Sequence, residues 1–71
     1  MMLHLIEEDW SEGGEIVADL GRFATWAEAT RFAHSHPLPP EHTITMDDGE
    51  GSVYEYDPAG GGEGSYWINV C

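Results

Sequence analysis

Three groups of side chains in this sequence have the types and spacing to do chemistry. Glu7-Glu8-Asp9, followed by Glu12, forms one carboxylate run; Asp47-Asp48 with Glu50 forms a second, which Glu55 and Asp57 extend. His34, His36 and His42 form a third group, of imidazoles. Carboxylates can work as general acid and base, but only as a pair held in a pocket that pushes their pKa values apart. Here they are numerous and fall mostly near turns, in a chain with little room to enclose a pocket. Catalysis is therefore not expected. Calcium binding fails on spacing: counted from Asp47, the third and fifth positions are Gly49 and Gly51, where an EF-hand loop needs oxygen ligands. The histidines are the best candidates for zinc. They lack cysteine partners, and Pro37, Pro39 and Pro40 leave their geometry unspecified, so a cationic helix end is the simpler reading of His34 and His36. No cofactor and no metal are expected.

What remains is charge. Fourteen Asp and Glu stand against two Arg, with no Lys, giving a formal net charge of -12 on 71 residues. Self-repulsion at this level destabilises a compact state, and a domain of this size has little stability to lose. The charge then has a role of its own, and the obvious one is to meet a strongly positive surface. Strand residues rise roughly 3.3 Å each, close to the roughly 3.4 Å per phosphate along one DNA strand. Glu7-Glu8-Asp9 thus matches the axial charge density of nucleic acid, although its side chains alternate between faces. The residues expected to face a partner are Glu7, Glu8, Asp9, Glu12, Asp47, Asp48, Glu50, Glu55 and Asp57. The competing reading is a solvated surface that keeps the protein soluble. Direct binding to nucleic acid or to an anionic membrane is disfavoured.

The elements that must position these residues follow from periodicity. Leu3 and Leu5 share one face of a first strand within Met2–Trp10, and Glu12-Gly13-Gly14 reads as a turn. Glu15–Phe23 alternates, with Ile16, Ala18 and Leu20 on one face, so the two segments predict a β-hairpin around Ser11–Gly14. Thr25-Trp26-Ala27-Glu28 is a capping box opening a helix over Thr25–His36, with Trp26, Ala29, Phe32 and Ala33 as its apolar stripe and Pro37 as its stop. His42–Asp47, Ser52–Asp57 and Ser65–Cys71 predict three more strands, separated by the turn Asp48–Gly51 and a flexible glycine-rich loop over Pro58–Gly64. Tyr66, Ile68 and Val70 are assigned to the core, and Trp10, Tyr54, Tyr56 and Trp67 to the open face. The prediction is one α+β domain over residues 1–71, in the order β-β-α-β-β-β. It has two layers: a largely antiparallel sheet of four to five strands with one helix packed on one face.

Cys71 is the only cysteine, so no internal disulfide forms, and an unstapled small domain fits a reducing compartment. No apolar run approaches the roughly 18 residues of a membrane span, and no basic region precedes one as in a signal peptide. In whole-chain character the sequence resembles the small phage-encoded anti-CRISPR proteins, in particular acidic inhibitors of type I CRISPR systems. It is very short, single-domain, Met-initiated, strongly acidic and cysteine-poor, with the βα pattern GEIVADLGRFATWAEATRFA. The resemblance implies a non-catalytic, cofactor-free protein in the bacterial cytoplasm that binds a basic surface of a CRISPR effector complex and blocks target DNA. Glu7, Glu8, Asp9, Asp47, Asp48 and Glu50 would stand in for phosphates against its Lys/Arg channel. A monomer is expected rather than a dimer. The alternative is an acidic interaction module that binds a basic protein or self-associates through the aromatic face.

Overall fold

The computed structural model describes residues 2–60 and 66–71. Five strands and one helix follow in chain order: β1 (Leu3–Asp9), β2 (Glu15–Phe23), α1 (Trp26–Ser35), β3 (His42–Asp47), β4 (Val53–Tyr56) and β5 (Trp67–Asn69). The sheet runs β2-β1-β3-β4-β5 with every described neighbour antiparallel. Strand β3 is therefore central, and β1 lies between β2 and β3, which α1 connects across one face. The architecture is the expected α+β domain. The expected glycine-rich loop lies outside the described residues from Gly61 to Gly64, as does Ser65.

The helix begins as its capping box dictates. Thr25 Oγ1 accepts the Glu28 backbone N–H at 3.1 Å and donates to Glu28 Oε1 at 3.2 Å. His36 caps the other end through its N–H to Ala33 O, and Pro37 follows. Ala29 and Ala33 turn inward and are fully or almost fully buried. Beneath them lie Leu3 and Leu5 from β1 and Ile44 and Met46 from β3, all inaccessible to solvent.

Small helix residues leave room for large sheet residues, and this reverses the aromatic assignment made from sequence. Register places Tyr54 opposite Met46 and Tyr56 opposite Trp67, on the face that α1 covers. Tyr56 and Trp67 are core, and Trp26 packs edge-on against Tyr54 with ring centroids 5.0 Å apart. The aromatic rings bury more apolar area under the alanine stripe than Ile68 and Val70 would. Those two residues are instead exposed, while Tyr66, just before β5, packs against the core from the side. Trp26, expected in the core, sits at its rim and is partly exposed. Of the expected open-face aromatics, only Trp10 is exposed.

Strand β2 departs from simple alternation. Two bulges, between the partners of Leu5/Ile6 and of Glu7/Glu8, leave Leu20 and Val17 without a β1 partner. Ile16 and Ala18 consequently fall on opposite faces, and Leu20 packs against the core from the bulge. Gly21 takes φ +103 there, which a residue with a Cβ rarely adopts. These bulges, with the short β5 on the far side, roughen both edges of the sheet against further strand pairing.

The face assignments have a direct test. Ile44→Ala should cost about 2–5 kcal/mol by urea denaturation, whereas Ile68→Ser should change stability by about 0.5 kcal/mol or less. Equal costs would refute the assignment of β5.

Candidate functional site

The carboxylates divide into three groups by what they touch. The first is Glu7 alone. It follows Leu3 and Leu5 on the inward face of β1 and is 8% exposed. His36, at the C-cap of α1, donates from Nε2 to Glu7 Oε1 at 2.9 Å, and His42, at the start of β3, donates from Nδ1 to Glu7 Oε2 at 2.5 Å. His42 Nε2 also approaches Asp9 Oδ2 at 3.6 Å. These imidazole hydrogen bonds, His36 first, hold the Glu7 carboxyl below its ordinary range against the opposing pull of burial. Glu7 is a structural clasp and is not available to a partner, contrary to the expectation from its run. The three candidate zinc ligands do not converge: His34 points elsewhere, pairing through Nδ1 with the Tyr56 hydroxyl. Among the described residues no group of three or more His, Cys, Asp or Glu is arranged to hold a metal ion.

The second group is all five aspartates. Each accepts the backbone N–H two residues on: Asp9 from Ser11 at 2.9 Å, Asp19 from Gly21 at 2.9 Å, Asp47 from Gly49 at 2.8 Å, Asp48 from Glu50 at 2.8 Å and Asp57 from Ala59 at 2.9 Å. Asp48 accepts a further bond from Ser52 N at 3.1 Å. They shape the turns and the β2 bulge by satisfying backbone donors. The backbone bond from Ser11 lowers the Asp9 pKa, and the bond from Gly21 followed by that from His4 lowers the Asp19 pKa. Asp9, Asp47, Asp48 and Asp57 therefore have a local task besides any contact with a partner.

The third group is the remaining described glutamates apart from Glu28, which belongs to the capping box. Glu12, Glu15, Glu41, Glu50 and Glu55 have no side-chain hydrogen bond or ion pair among the described residues. Glu8 accepts only from Thr45 Oγ1, at 2.5 Å. These are the carboxylates whose charge the fold leaves unspent.

Antiparallel pairing decides what comes together. His4 lies opposite Asp47 and Asp9 opposite His42, so the two acidic runs sit at opposite ends of β1, roughly 17 Å apart at the strand rise. They do not form one cluster. What connects them is the sheet face opposite α1. Pairing puts Asp19 of β2, Glu8 of β1, Asp47 of β3 and Glu55 of β4 on that face, one on each of four neighbouring strands. Asp19 was missed in the sequence because it belongs to no acidic run; alternation with Ala18 puts it on this face, and its Oδ1 lies 3.0 Å from His4 Nε2. Arg22 is the only arginine there. Ile6, Ile16, Val53 and Ile68 lie between the charges, with Ile16 62% exposed. Trp10 folds over one end: its Nε1 donates to Thr43 Oγ1 at 2.8 Å, and its ring occupies the space a Gly14 side chain would need.

Comparison with protein-family models, curated proteins and solved structures finds no match to this chain. No helix among the described residues is long and apolar enough to cross a membrane.

The Glu7 clasp carries a pH signature. A carboxyl held below its unfolded value stabilises the fold above that value and loses the effect as pH falls through the folded one. Acidification below about 4.5, the ordinary Glu7 value, should therefore remove the contribution of the clasp. Glu7→Ala should cost about 1–3 kcal/mol at neutral pH and should flatten this part of the stability–pH curve in urea unfolding. An unchanged acid slope in the variant would rule the clasp out as its source.

Proposed function

We propose that this protein is a non-catalytic acidic binding module that covers a basic, nucleic-acid-binding surface of another protein with its uncovered sheet face. The observation that carries the reading is the placement of Asp19, Glu8, Asp47 and Glu55 across four adjacent strands, on the one face that no helix covers. Neighbouring strands lie roughly 4.8 Å apart, so the four carboxylates form a broad negative surface, with Glu12 and Glu50 in the hairpin turns extending it at either end. Internal cations do little to neutralise it: every ion pair among the described residues uses a histidine. The non-catalytic reading is supported by the lining of the groove on the helix side. That groove, between α1 and Tyr66–Trp67, is lined among the described residues by no Asp or Glu.

Among basic surfaces, the resemblance noted above points to the nucleic-acid channel of a type I CRISPR effector complex, which is rich in Lys and Arg. Occupying it would exclude target DNA without any reaction. A second copy of this chain is a poor occupant, because -12 would face -12. Self-association through Tyr54, Tyr56 and Trp67 is the weaker reading, because Tyr56 and Trp67 are buried and Trp26 packs on Tyr54.

The test is binding to a purified type I CRISPR effector complex at low and moderate salt. The affinity should fall steeply as salt rises. The double variant Glu8→Gln, Glu55→Lys should bind roughly tenfold or more weakly while keeping the wild-type melting temperature. No binding at either salt would remove this partner. Wild-type affinity in the folded variant would remove the sheet face from the interaction.

A further inference from the structure

A groove on the helix side of the molecule, remote from the acidic face, has a different chemistry. It encloses about 610 Å³ between α1 and the Tyr66–Trp67 segment, within the roughly 300–1,000 Å³ typical of small-molecule sites. Trp26, Tyr66 and Trp67 supply aromatic walls. His34 stands edge-on to Tyr66, with centroids 4.4 Å apart.

The polar groups of this groove are mostly engaged. Trp67 Nε1 donates to Thr30 Oγ1 at 2.8 Å, and the Thr30 hydroxyl donates to Trp26 O at 2.8 Å. His34 Nδ1 is paired with Tyr56. Arg31 is not among them. In a chain with fourteen carboxylates and two arginines, its guanidinium has no carboxylate within ion-pair distance among the described residues. No described carboxylate lines the groove either. Among the described residues the site thus pairs a set of aromatic rings with one planar cation that no carboxylate neutralises, which favours a flat anionic ligand.

We propose that this groove binds a small planar aromatic carboxylate. The ring lies against Trp26, Tyr66 and Trp67, and the carboxylate meets the fork of Arg31 side-on, as guanidinium geometry favours. The site is independent of the acidic face and survives or fails separately from it.

The probe is indole-3-acetate, titrated into the full chain and followed by amide and indole NMR shifts. Saturable shifts are expected at Ala27, Arg31 and the Trp67 indole N–H. Arg31→Gln, an exposed position that should not disturb folding, should weaken binding roughly tenfold or more, as should replacing the probe by neutral indole-3-acetamide. Arg22→Gln, on the opposite face, should leave binding unchanged. Absence of saturable shifts at millimolar probe would overturn the proposal, as would equal affinity for the amide or for the Arg31 variant.

Discussion

One buried carboxylate holds the layers of this molecule together. Glu7 sits on the interior strand β1, pointing into the layer between sheet and helix, and two imidazoles from different elements converge on it. A buried charge is tolerated only when paired and hydrogen-bonded, and here two imidazole N–H groups supply the bonds. His36 brings the C-terminal end of α1 to the sheet, and His42 brings the first residue of β3. The proline-rich link between them is fixed at its far end by His42 N–H to Pro39 O at 3.1 Å and Trp10 N–H to Glu41 O at 2.9 Å. Glu41 takes φ 68, a left-handed conformation costing about 1–2 kcal/mol outside glycine. That cost is offset by the bonds on either side of it, which the clasp keeps in register.

With the clasp in place, the two faces of the molecule diverge. On the helix side, alanines leave space that Tyr56 and Trp67 fill, and the rim of that aromatic layer opens into the groove beside Arg31. On the other side nothing covers the sheet, and carboxylates alternate with Ile6, Ile16, Val53 and Ile68. The aspartates belong to neither face as a class. Each folds back on its own turn, so part of the acidity of this chain is local structure, and the glutamates carry most of what remains for a partner.

Much of the fold was legible. The bounds of β2 and β3 and the cap of α1 follow from alternation, a T-x-x-E pattern and a proline stop, and all three act locally. Which side of a strand faces the helix is not local. Tyr54 and Tyr56 alternate as expected, but only the helix residues above them, Ala29 and Ala33, reveal that the larger rings belong inside. The β2 bulges were illegible because their signal, a glycine two residues after Asp19, is shared by many turns. The clasp had a fainter trace. Continuing Leu3 and Leu5 by two residues reaches Glu7 on the inward face, and a carboxylate there demands a partner, but nothing in the spacing names His36 and His42. Acidic runs distant in sequence can meet or part, and antiparallel pairing of β1 with β3 placed these at opposite ends.

The carboxylates of this fold differ in what they touch, and residue-resolved titration of the side-chain carboxyl carbons by NMR is the most direct test. Glu7 should titrate below the ordinary glutamate range, and its shift should vanish when His36 and His42 are both replaced by Ala. Asp9 and Asp19 should titrate below the ordinary aspartate range whether or not those histidines are present, because their first support is backbone N–H. A Glu7 titrating at or above its ordinary value would contradict the clasp and, with it, the arrangement of helix and sheet built around it.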